Sequence, residues 1–201
     1  MASVGESVRK SIFDWEAGDS EFAMLHACNA IDGTAAKAYK GTGVGERFKR
    51  LLRDNYDILE PLGTPGIALE TSRWTVRLDS NKPPIAIDIA EIIYRVHRCT
   101  HGHGDELPHG WALLPVARGT PSQTILRWMD EKVALPDRVI FALLAIAVLA
   151  MQNADQKVPI GYFLSFEDER FTINDWWGRK NDFYRAIYER VQRMPRLTMN
   201  L

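Results

Sequence analysis

The stretch that decides the reading is residues 85–107, IAIDIAEIIYRVHRCTHGHGDEL. Ile85, Ile89, Ile92, Ile93 and Val96 recur at three- and four-residue spacing, which predicts one buried face of an amphipathic helix. Asp88, Glu91, Arg95 and Arg98 follow at offsets of three, four and three and share a second face. Glu91 and Arg95 form an acid-before-base pair one turn apart, the orientation that supports a helix best. The pattern then stops, and His97, Cys99, His101 and His103 crowd into seven residues. Gly102, Gly104 and Pro108 mark the end of the predicted helix.

Around this stretch the composition is that of an ordinary globular chain. Of 201 residues, 46 % are apolar and 25 % charged, enough for one well-buried core. A net charge of −1 gives no global electrostatic case for nucleic acid or membrane binding, so any such role must rest on local patches. Two cysteines, Cys28 and Cys99, make no disulfide framework, and a reduced, cytoplasmic setting is expected. The longest apolar run, Val139 to Met151, is 13 residues, short of the roughly 20 that a membrane span needs. The first residues lack the apolar segment of a signal peptide. No stretch reads as a linker, so residues 1–201 are expected to form one domain.

Upstream, helices are predicted over residues 6–17 and from Asp19 or Ser20 to about Tyr39, the latter interrupted by His26 and Asp32. The glycine string at Gly41, Gly43 and Gly45 lacks the Gly-Lys-Ser/Thr ending of a phosphate loop and no strand precedes it; it reads as a helix–helix connection. The helix that follows, from Glu46 to about Tyr56, carries Arg47, Arg50 and Arg53, candidate contacts to RNA. Residues 61–66 read as a turn. Period-two alternation over residues 67–78, 111–130 and 158–173 predicts a small antiparallel β elaboration. Pro136 is expected to open an apolar helix over 136–153. The last helix sets Trp176, Trp177, Tyr184 and Tyr188 among arginines, a pattern shared by core packing and by base stacking.

The segment Arg98-Cys-Thr-His-Gly-His103, at the end of a periodic helix, resembles the Arg-x4-6-His motif of the HEPN superfamily, a group of small helical bundles. The Asp32-containing helix and the basic helix after it resemble the leading helices of those bundles. The resemblance covers roughly residues 20–107. It implies a mainly α, HEPN-like bundle carrying the β elaboration, and an RNA-associated protein acting as a metal-independent endoribonuclease of toxin–antitoxin or defence type. It further implies a homodimer and a cognate antitoxin-like partner protein. Arg98 and His103 would be catalytic, with Glu91, Arg95 and His101 in support. The RNA's own 2′-hydroxyl would attack, histidine moving the proton and arginine holding the phosphate. No cofactor is expected.

Two other readings stand beside it. One is a non-catalytic dimeric module that binds RNA or protein. The other is a metal site drawn from His97, His101 and His103, since His97 and His101 are one helical turn apart.

Overall fold

The computed structural model describes residues 3–100, 107, 110–116 and 125–201. Helix α1 (Val4–Glu16) starts where the Ser3 hydroxyl accepts the Glu6 N–H, and α2 (Ser20–Ala38) where the Asp19 carboxylate accepts the Phe22 N–H; both are side-chain N-caps. Helix α3 spans Val44–Arg53 and α4 spans Tyr56–Gly63. Strands β1 (Trp74–Val76) and β2 (Ile85–Ile87) pair antiparallel. Helix α5 (Ile89–Ile92) runs unbroken into a π-helical segment, Ile93–Arg98. A three-stranded sheet follows, β3 (Ala112–Leu114), β4 (Arg127–Met129) and β5 (Lys132–Pro136), in the order β3-β5-β4. Helix α6 (Arg138–Leu149), the hairpin of β6 (Phe163–Phe166) and β7 (Glu169–Thr172), and α7 (Lys180–Arg193) complete the chain.

Apolar burial explains the layout. Helix α6 is apolar on all sides, and Val139, Ile140, Leu143, Leu144 and Ile146 are buried, so it must be surrounded. It packs against α1, α2 and α4. Small residues on α2 (Ala23, Ala27, Ala30, Ala35), all fully buried, let its neighbours approach. Gly5 serves the same end: a Cβ there would lie 2.5 Å from the Lys157 carbonyl oxygen, a backbone atom that yields only by moving the chain. Gly5→Ala is expected to destabilise the protein by about 2 kcal/mol, typical of overpacking, read by urea unfolding. The C-terminal residues lie parallel beside β1 and the segment before it, bridging Ile67 to Leu197 and Arg73 to Asn200. Arg196 clamps them with a two-pronged ion pair to buried Glu60, at 2.6 and 2.9 Å.

This architecture corrects the expected one. Among the described residues 51 % are helical and 16 % lie in strands of three separate small sheets. The fold is mixed α/β, not a mainly α HEPN-like bundle with an antiparallel elaboration. The β3–β5 pairing is parallel, and Lys132–Pro136, which lies outside the expected β segments, is the buried central strand. Pro136 ends that strand instead of opening α6. Residues 67–78 do not join 111–130 in one sheet; β1 takes β2 as its partner. Residues 85–87 are therefore strand, and Ile85 is exposed, so the central helix starts four residues later than its periodicity suggests. Residues 61–63 are the last turn of α4, not a turn cluster. The helix ending assigned to Gly102, Gly104 and Pro108 lies outside the described residues.

Candidate functional site

The π-helical segment carries Arg95, His97 and Arg98, and its wide turn is closed by the Cys99 N–H donating to Tyr94 O. A π turn inserts a residue into a helix and re-aims the side chains after it. Here it separates two groups expected on one face. Arg95 still reaches back to Glu91, Nε to Oε1 at 2.5 Å. Arg98 instead faces α2, where its Nε donates to Asp32 Oδ2 at 2.8 Å.

Glu91 lies at the centre of the first group. Its side chain is only 11 % exposed, and it meets Lys49 Nζ at 3.0 Å and Arg53 Nη2 at 3.7 Å besides Arg95. Asp88 does two jobs: Oδ1 accepts the Glu91 N–H as the cap of α5, and both oxygens accept the Arg53 fork at 2.7 and 3.2 Å. Burial alone would raise both carboxyls. It is outweighed at Asp88 by hydrogen bonds from Arg53 and the backbone, and at Glu91 by those from Lys49 and Arg95, so both lie below the usual carboxylate range. Lys49 also pairs with Glu46 at 2.7 Å. These cations are matched by anions, so the cluster is a charged joint between α3 and α5.

Arg98 is differently placed. Asp32 takes only its Nε, and no described residue bonds its two terminal amino groups. Its side chain is 29 % exposed, with the guanidinium 6.0 Å from the Tyr94 ring centre. Tyr94 is wedged against Phe48, ring centres 5.5 Å apart, and a Cβ on Gly45 would approach it to 2.9 Å. That close approach is what the third glycine of the string serves. Asp32 Oδ1 has no hydrogen-bond partner among the described residues. Cys28 is fully buried near this pair, and burial pushes its thiol well up, which suits a packing residue, not a nucleophile.

The structure thus joins Glu91, Arg95 and Arg53, but not with Arg98. Arg50 is exposed, 3.6 Å from Asp54 and stacked on Tyr39 at 4.7 Å. Arg47 is half-buried, its Nε unbonded among the described residues. His97 is fully buried. His101 and His103 lie outside the described residues. Among the described residues no three His, Cys, Asp or Glu side chains gather to hold a metal. Two side chains that complete these pairs, Lys49 and Asp32, were not among the expected site residues. Asp32 had a signal: an acid flanked by Cys28, Ile31 and Ala35 on an alanine-rich helix needs a cation from a neighbouring helix.

No helix among the described residues is long and apolar enough to cross a membrane. No solved structure matches the chain significantly. It is 41 % identical over 186 residues to two uncharacterized proteins, Rv1289 of Mycobacterium tuberculosis strain H37Rv and Mb1320 of Mycobacterium bovis. Each alignment covers 92 % of this chain and 88 % of the relative. The Rv1289 family model matches residues 3–201, and the chain belongs to that family.

Proposed function

We propose that this protein is RNA-associated and acts as a metal-independent endoribonuclease, with Arg98 as its phosphate clamp and His103 as its proton-transfer group. The observation that carries the reading is the Arg98–Asp32 pair. A carboxylate on Nε fixes the guanidinium plane and leaves the two terminal amino groups to grip two oxygens of one phosphate. An arginine held before substrate arrives needs little reorganisation to stabilise charge building on phosphorus. Proton transfer falls to His103, since imidazole titrates near neutral pH. The reading rests on these residues and not on a bundle fold. A homodimer in the cytoplasm is part of the same proposal, a two-fold axis bringing two such pairs together.

The test is cleavage of single-stranded RNA in EDTA by wild type, Arg98→Ala and His103→Ala. Cleavage that survives EDTA and is lost in both variants supports the proposal. Absence of cleavage by wild type, or cleavage unchanged in the variants, contradicts it. If wild type binds RNA without cutting it, the non-catalytic alternative takes its place.

A further inference from the structure

The hairpin of β6 and β7 leaves one edge of β6 without a strand partner among the described residues. Its register sets Phe163 opposite Thr172, Leu164 opposite Phe171, Ser165 opposite Arg170 and Phe166 opposite Glu169. Just before it, the Ile173 N–H donates to Tyr162 O at 3.0 Å. Bonded and unbonded pairs alternate along an antiparallel ladder, so Tyr162, Leu164 and Phe166 turn their peptide groups toward β7. Phe163 and Ser165, at the alternate positions, turn N–H and C=O toward the other edge. No backbone bond reaches either residue from outside the hairpin among the described residues. The strand reads FLSF, with neither the proline nor the charge that commonly closes such an edge. At β1 the chain covers the comparable edge itself: the Arg73 N–H donates to Met199 O at 2.7 Å, and the Leu201 N–H to Arg73 O at 3.2 Å.

The open edge of β6 borders a cleft of about 580 Å³, the size of a ligand pocket. Residues 160–167 line it without a gap, buried and exposed side chains alike, so the cleft runs along the edge of the strand and not over one face. Ile12 of α1, Leu62 of α4 and Phe141 of α6 supply the other wall. On the inner side of β6 Leu164 and Phe166 are buried, and on the outer side Phe163 and Ser165 are exposed. The Arg170 guanidinium stacks on the Phe163 ring at 4.6 Å, which holds that ring on the outer face and off the edge.

We propose that this edge binds an extended peptide, which adds to β6 as a third strand. Phe163 and Ser165 offer two N–H donors and two C=O acceptors at strand spacing, a set that an extended main chain matches in full. A compact apolar ligand would fill the cleft and leave those four groups unmet. A second copy of the chain would bring its own β7 behind its β6, against the wall of Ile12, Leu62 and Phe141. A lone strand meets that wall with side chains only. Apolar residues at every second position suit the inner side, beside Leu164 and Phe166, and polar ones suit the exposed side.

The experiment is fluorescence anisotropy of the labelled, capped peptide Lys-Val-Thr-Val-Thr-Val titrated with the full chain. The expected result is saturable binding at one site per chain. Two further peptides carry N-methyl groups on the valines or on the threonines, which block opposite edges of the extended peptide. One of these sets should abolish binding and the other should not. Ser165→Pro should weaken the unmethylated peptide about tenfold, the effect of one lost hydrogen bond. It should leave the melting temperature of the free protein unchanged, because the N–H it removes bonds nothing in the hairpin. If that variant folds poorly, the methylated peptides decide the matter on wild type. No peptide binding by wild type, or equal binding of the two methylated peptides, overturns the proposal. So does a homodimer that Ser165→Pro dissociates and that takes up no peptide, since the edge would then belong to a second copy.

Discussion

Glu91→Ala should lower the stability of the folded protein by about 3 kcal/mol, the lower end of what removing one partner of a buried ion pair costs. The lower end applies because the stranded cations have other recourse. Lys49 keeps Glu46, Arg53 keeps Asp88, and Arg95 is half-exposed and can turn into water. Arg95→Ala should cost under about 1 kcal/mol, since it removes a pair with one solvated member. The contrast between the two variants is what a centre at Glu91 predicts and what a simple i,i+4 helix pair does not. For a chain of this length a 3 kcal/mol loss corresponds to a fall of roughly 8 °C in melting temperature. The pH dependence has a fixed sign. The folded carboxyl lies below its unfolded value, so the unfolded chain binds the proton more readily at low pH. The advantage of wild type over Glu91→Ala is complete above the unfolded value of about 4.3 and fades as pH falls through the folded one. A gap in melting temperature that stays constant from pH 6 down to pH 3 would remove Glu91 from this role.

Arg98→Ala should slow RNA cleavage by about 10²–10³-fold, the usual effect of deleting one preorganised group from a developing oxyanion. Arg98→Lys should not rescue it. An ammonium keeps the charge, but it offers no Nε for Asp32 and no planar pair of amino groups for a phosphate. Asp32→Asn should cost about tenfold, within what misplacing a catalytic group does. That loss should fall on kcat with KM little changed, since the guanidinium is still present but no longer held. Circular dichroism of each variant separates these effects from misfolding. Equal losses in kcat and in helical signal would mean that the pair is a structural strut.

Local pattern and long-range pairing were unequally legible in this sequence. The helical stripe Ile89, Ile92, Ile93, Val96 is buried as its spacing predicts, and the Glu91–Arg95 pair forms. Ile85 fits the same spacing, yet it lies in a strand, because three residues of alternating apolar character satisfy either period. The β4–β5 hairpin was hidden for a chemical reason. Its two-residue turn uses Asp130 and Glu131, both at positive φ, 52° and 58°, where Asn-Gly or Asp-Gly is the recognisable signal. The turn is held from outside: Glu131 accepts from Arg77 through both its carboxylate, at 2.6 Å, and its carbonyl, at 2.8 Å. Missing that hairpin hid the central strand of the mixed sheet, and with it the fold class. At the candidate site, Arg98 was chosen for the resemblance its segment carries, and it was placed on one face with Glu91 by spacing that assumes 3.6 residues per turn. The π segment breaks that assumption, and no single residue announces it. Lys49 and Asp32 are contributed by other helices; Asp32 signals its need of a cation, but tertiary packing decides which one.

The most direct test of the central claim, that Arg98 is a phosphate contact positioned by Asp32, is the salt dependence of single-stranded RNA binding by wild type and Arg98→Ala. Each phosphate contact contributes about 0.7 to the slope of log affinity against log salt for a single strand. Arg98→Ala should bind more weakly at every salt concentration, with a slope shallower by about 0.7. Superimposable lines for the two proteins would contradict it.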